Sequence, residues 1–170
     1  KKIIFNCKEG KSYEINLSLL ACYFPLYTLI KKIPSILNIK SNDKNFKELL
    51  KSQLLEPLEE IKISKNIKKI GSIKDDISLM VRSQYEANPY PRWKSENPSK
   101  HSQSSAISII NNEIKPNRIK YDFKSNPLKI LIAGCGTGLQ ILHAQRYKNA
   151  QITGIDLSCS SLAFAQRKIY

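Results

Sequence analysis

The chain has 170 residues and a net charge of +14, from 28 basic against 14 acidic side chains. Four widely separated cysteines (Cys7, Cys22, Cys135, Cys159), no C-x-x-C pair and only two histidines exclude the familiar metal-ligand spacings and a disulfide framework, so no metal is expected and a reducing cytoplasm is the default location. Charge alone suggests a phosphate-rich partner, but the excess is lysine scattered from Lys1 to Lys168, so a solvated surface is favoured over nucleic-acid binding.

The first predicted element is the apolar stretch Leu17 to Ile30. It is too short for the roughly 20 apolar residues that a bilayer span takes, so it reads as a buried helix pair or a Pro-kinked helix, and no membrane contact is expected. Asn42 to Leu58 places Phe46, Leu49, Leu50, Leu54 and Leu58 at helical spacing, with Pro57 bending or ending the helix. A third helix starts at Asp75 or Asp76, either able to cap it, with Ile77, Met80, Val81 and Tyr85 predicted to face inward. Asn88-Pro89 stops it.

Asn88 to Trp93 reads NPYPRW and holds the only tryptophan. Two prolines stiffen the backbone, and Tyr90, Arg92 and Trp93 are planar side chains able to stack on a purine or cover a pocket. Tyr85, Asn88, Tyr90, Arg92 and Trp93 are therefore candidates for a lid or substrate edge; with equal weight, the segment is a turn whose Trp93 anchors in the core. Residues 94–127 read as a polar surface connection with one short helix around Ala106 to Ile114 and a turn at Asn126-Pro127.

Ile130 to Gly138 then read ILIAGCGTG, which concentrates three of the chain's six glycines in five residues. Lys129 to Ala133 is a continuous branched run, as expected of a parallel strand buried on both faces. The stretch after Gly138 has helical spacing (Leu139, Leu142, Tyr147), residues 151–157 read as a second strand, and a further helix begins after Ser158. In a strand, glycine loop, helix, strand unit, glycines let a ligand approach the backbone and the helix N-terminus favours an anion. A carboxylate ending the second strand, here Asp156, can accept hydrogen bonds from ribose hydroxyls, so the expected ligand carries a nucleoside. The dinucleotide fingerprint G-x-G-x-x-G/A fails at Leu139; the pattern present is G-x-G-x-G. Cys135 lies near the predicted helix N-terminus, which could lower its pKa, although a small side chain suited to a tight turn explains it more simply.

That pattern resembles the class I S-adenosylmethionine-dependent methyltransferases. NPYPRW, the string LLKSQLLEPLEE, AGCGTG and GIDLSCSSLAFAQRK together resemble a bacterial group of them, often linked to tetratricopeptide repeats, over about residues 45 to 168. The resemblance implies an α/β fold, the N-terminal part of a Rossmann-like methyltransferase sheet with two strand-helix units, preceded by a mainly helical segment. It implies S-adenosyl-L-methionine as cofactor, with Gly134, Gly136 and Gly138 at its methionine end, Asp156 on the ribose hydroxyls, and Ala133, Cys135, Thr137 and Leu157 as further cofactor-binding residues. One position departs: the family usually carries Asp or Glu two residues before the first glycine, where this chain has Ile132. The expected organisation is a helical segment at 1–93, the connection at 94–127 and a truncated cofactor-binding domain at 128–170. A sheet of this class takes about seven strands, so the sequence reads as a fragment, inactive alone, whose catalytic residues and methyl acceptor are unassigned. No repeat period is visible, so repeats and any protein partner they bind would precede Lys1. Two alternatives stay open: a non-catalytic helical interaction module with a degenerate nucleotide-binding fold, and, more distantly, a nicotinamide-dependent oxidoreductase.

Overall fold

The structure is a computed structural model that describes residues 11–95, 103–120 and 127–169. The chain divides into two compact units, Lys1–Lys62 and Ile63–Tyr170.

The first unit is helical. Helix α1 (Lys11–Ala21) ends before Pro25, which leads into a 3-10 turn at Leu26–Leu29. The apolar stretch is thus one helix plus a short turn, not a helix pair or one kinked helix: proline fixes its own φ and cannot donate to the preceding turn. A second 3-10 turn spans Pro34–Asn38. Helix α2 (Lys44–Leu50) is capped by Asp43, whose carboxylate accepts from the Phe46 amide at 2.8 Å. A π-helical turn (Lys51–Leu55) follows, then α3 (Glu56–Ser64). Pro57 does not end this run: it follows directly on the π turn, where the Glu56 amide bonds back five residues to the Lys51 carbonyl. Leu17, Leu26, Ile36, Phe46, Leu50 and Leu54 form the buried cluster of this unit. No helix among the described residues is long and apolar enough to cross a membrane.

The second unit mixes helices with a parallel sheet, which places it in the α/β class. Helix α4 (Asp76–Ala87) is capped by Asp75, which accepts from the Ser78 amide at 2.7 Å. The predicted inward face of α4 is not inward. None of its residues is buried, and Ile77 and Met80 are 71% and 73% exposed, with Val81 and Tyr85 exposed beside them. Helical spacing shows that an apolar stripe exists; it does not supply a surface to cover it. Helix α5 (Ala106–Glu113) is capped by Ser105, and the Asn111 side chain brackets the chain beyond it, donating to the Ile119 carbonyl and accepting the Ile119 amide. Residues 103–120 also bind the unit. Ser104 forms a parallel bridge with Tyr147, donating to the Arg146 carbonyl while its own carbonyl accepts from Lys148, and Arg146 pairs with Glu113. Asn126 of the expected turn and the first half of the Ser-rich patch, residues 99–102, lie outside the described residues.

Strands β1 (Leu128–Ala133) and β2 (Ala150–Ile155) pair in parallel, in register from Leu128 with Ala150 to Ala133 with Ile155. Helix α6 (Leu139–Ala144) lies between them in sequence, and α7 (Cys159–Ile169) follows β2. The strand was expected to be buried on both faces, but exposure alternates along it. Ile130, Ile132, Ile152 and Gly154 share the face that α6 covers, where a methyl group added at Gly154 would meet Ile141 at 2.5 Å. Leu131, on the opposite face, is 66% exposed, because no layer of the described residues covers that side.

Candidate functional site

The glycine loop hangs from the carboxyl end of β2. The amides of Gly134 and Cys135 both donate to the Ile155 carbonyl, at 2.8 and 3.1 Å. Gly134, Gly136 and Gly138 have φ of 71°, 51° and 88°, the left-handed region that side chains strain to adopt. Their surroundings differ. A methyl group at Gly134 or Gly136 would meet nothing within 4 Å, whereas one at Gly138 would sit 2.7 Å from Ala165 Cβ and 2.9 Å from Ile169 Cδ1. The first two glycines leave open space beside the backbone. The third lets α7 pack against the start of α6.

Asp156 ties the two strand ends together. One carboxylate oxygen accepts from the Gly136 amide at 2.8 Å, the other from the Ser158 amide at 2.9 Å. Each oxygen keeps a second lone pair for a further donor. Leu157 is exposed next to it. Ser158 is fully buried and caps α7, its hydroxyl accepting from the Ser161 amide at 3.0 Å.

Cys135 is buried with its sulfur toward Gly154. Burial, and next the Asp156 charge, push its thiol up to about 11, opposite to the lowering that a helix N-terminus could produce. Helix α6 has six residues and no side-chain cap, so its terminus is a weak source of field.

The segment after α4 meets this loop directly. Trp93 donates its indole N–H to the Thr137 carbonyl at 3.0 Å, and the Thr137 hydroxyl donates to the Pro91 carbonyl at 2.7 Å. The indole packs edge-on against Phe164, with centroids 5.7 Å apart, and the Arg92 guanidinium lies over the same Phe164 ring at 4.7 Å. Trp93 is therefore an anchor, while Tyr90 is 74% exposed and Tyr85 is exposed on α4. Asn88 ends that helix, its amide donating to the Gln84 carbonyl.

Ala133, the loop Gly134 to Gly138, Asp156 and Leu157 are thus neighbours at one end of the two strands, with Trp93 docked on the loop. Glu86 and Phe164 were not foreseen. The Glu86 carboxylate accepts from the Cys159 amide, the Ser160 amide and the Ser160 hydroxyl at 2.8, 3.0 and 2.6 Å. Burial alone would raise its pKa; the Ser160 hydroxyl, the two amides and Arg82 together outweigh that and hold it below its ordinary value. Nothing local in the sequence marks a contact so distant along the chain.

A crevice of about 340 Å³ lined by Gln103, Gln145, Tyr147, Asn149, Ala150 and Ile152 lies at the other end of β2. Ligands of open parallel sheets bind at the carboxyl ends of the strands, so the glycine loop remains the candidate site. Among the described residues no cluster of three or more His, Cys, Asp or Glu side chains is arranged to hold a metal ion. No protein-family model matches the chain, and searches of curated proteins and of solved structures returned no match.

Proposed function

We propose that Ala133 to Gly138 with Asp156 and Leu157 binds S-adenosylmethionine, and that the protein is a class I methyltransferase built on a Rossmann-like sheet that begins with β1, α6, β2 and α7. The observation that carries this reading is the open, left-handed backbone at Gly134 and Gly136, beside Asp156 at the carboxyl ends of two parallel strands. Gly134 and Gly136 give the methionine end room against the backbone, and the remaining lone pairs of Asp156 accept hydrogen bonds from the ribose hydroxyls. Leu157 offers an apolar edge beside the ribose. The bound cofactor supplies a methyl group on a sulfonium; the chain's part is to hold that carbon in line with an acceptor nucleophile. Leu139 stands where a dinucleotide fingerprint has a small residue, which argues against a nicotinamide cofactor.

Calorimetric titration of the protein with S-adenosylmethionine, S-adenosylhomocysteine and NAD⁺ tests this reading. Saturable binding of the first two is expected, weakened about tenfold or more in Asp156→Asn, which keeps an acceptor oxygen but loses the charge. Binding of NAD⁺ alone would favour an oxidoreductase. A protein that takes up none of the three would favour the interaction module, whose own support is the exposed stripe of Ile77, Met80 and Val81 on α4.

A further inference from the structure

Residues 86–94 follow α7 from its first turn to its last. Glu86 holds the amides of Cys159 and Ser160, Arg92 and Trp93 reach Phe164, and the Lys94 carbonyl accepts from Lys168 Nζ at 2.9 Å. From Cys159 to Lys168 the helix rises about 13 Å, so the segment spans nearly all of α7. It also touches both pieces of the candidate site. Through Pro91 and Trp93 it is bonded to Thr137, which sits between Gly136 and Gly138; through Glu86 it is bonded to the backbone three and four residues beyond Asp156.

We propose that this segment is a brace that sets the glycine loop relative to Asp156, with Trp93 and Thr137 as positioning residues for the ligand. The proposal rests on the reading of the loop as the cofactor site. The Thr137 hydroxyl and carbonyl are bonded to the brace in opposite senses, one donating and one accepting, so turning the peptide unit between Thr137 and Gly138 breaks the Trp93 bond and displacing the Thr137 side chain breaks the Pro91 bond. Trp93 is turned edge-on to Phe164, and its N–H is committed to the loop.

The test uses Trp93→Phe, which keeps an aromatic ring beside Phe164 but removes the N–H, together with Thr137→Val and Thr137→Ser. Two quantities are measured: hydrogen exchange of the Gly136 and Gly138 amides, and affinity for S-adenosylhomocysteine. Trp93→Phe and Thr137→Val should each speed exchange at these amides by about tenfold, the equivalent of one hydrogen bond, and weaken affinity several-fold, while lowering the melting temperature by only a few degrees. Thr137→Ser should restore both. Folded variants whose loop amides exchange at the parent rate overturn the brace. Faster exchange with parent-like affinity overturns the positioning role. If Trp93→Phe does not fold, the Thr137 pair decides alone. A parent protein that binds no S-adenosylhomocysteine removes the methyltransferase reading, while the exchange data still decide for or against the brace.

Discussion

At Gly138 an added methyl group would press on Ala165 and Ile169, while at Gly134 it would meet open space, although both glycines hold a left-handed backbone. Gly134→Ala should therefore cost only backbone strain, about 1–2 kcal/mol. Gly138→Ala adds overpacking of about 1–3 kcal/mol, so urea denaturation should show clearly the larger loss there. Equal losses would mean that the third glycine has no packing role. Glu86 makes a different prediction. Its carboxyl is held below its ordinary value of 4.5 in the folded protein, so the charged form stabilises the fold. That contribution is complete above the unfolded value and disappears as pH falls through the lower folded one. Glu86→Gln should therefore melt below the parent protein at neutral pH, and the gap in melting temperature should close in acid below about 4.5. A gap independent of pH would show that the hydrogen bonds, not the charge, carry the effect.

Among the elements, β1 and α4 both depart from the burial that their sequence pattern predicts. Because Leu131 is two-thirds exposed, Leu131→Lys should change stability by no more than about 0.5 kcal/mol. Phe164→Ala, at a buried ring under Trp93 and Arg92, should cost about 3–5 kcal/mol in the same denaturation assay. A large loss at Leu131 would show that a layer covers its face after all. Element starts were legible because they depend on local chemistry: Asp75 caps α4, and the run before Gly134 is a strand. The crowding of glycines into one loop was legible for the same reason, and each has the backbone only glycine adopts freely. What covers an element is a matter of distant partners. The stripe Ile77, Met80, Val81 predicted a buried face on α4, yet that helix is tied to α7 by the polar Glu86. The division of labour among the three glycines depends on Ala165 and Ile169, about thirty residues further on, and no spacing within the loop could reveal it.

For the whole molecule, the net charge of +14 invites a search for nucleic acid, while the spread of lysines along the entire sequence favours the expectation of a solvated surface. Filter binding to duplex DNA near physiological salt should give dissociation constants no tighter than about 10⁻⁶ M, the range of non-specific contacts. Nanomolar binding with a steep salt dependence would overturn the solvated-surface reading. The brace also bears on how the second unit comes into being. The bonds of Glu86 to α7 link residues 73 and 74 apart, that of Lys94 to Lys168 spans 74, and that of Trp93 to Thr137 spans 44. Closing loops of this length adds little entropy cost beyond that of shorter ones, but contacts so distant in sequence slow folding. At about 5–20 residues per second, a ribosome makes the brace roughly 4–15 s before the helix it holds. During that interval Glu86 and Trp93 have no native partners in α7, so the brace can close only after α7 has been synthesised.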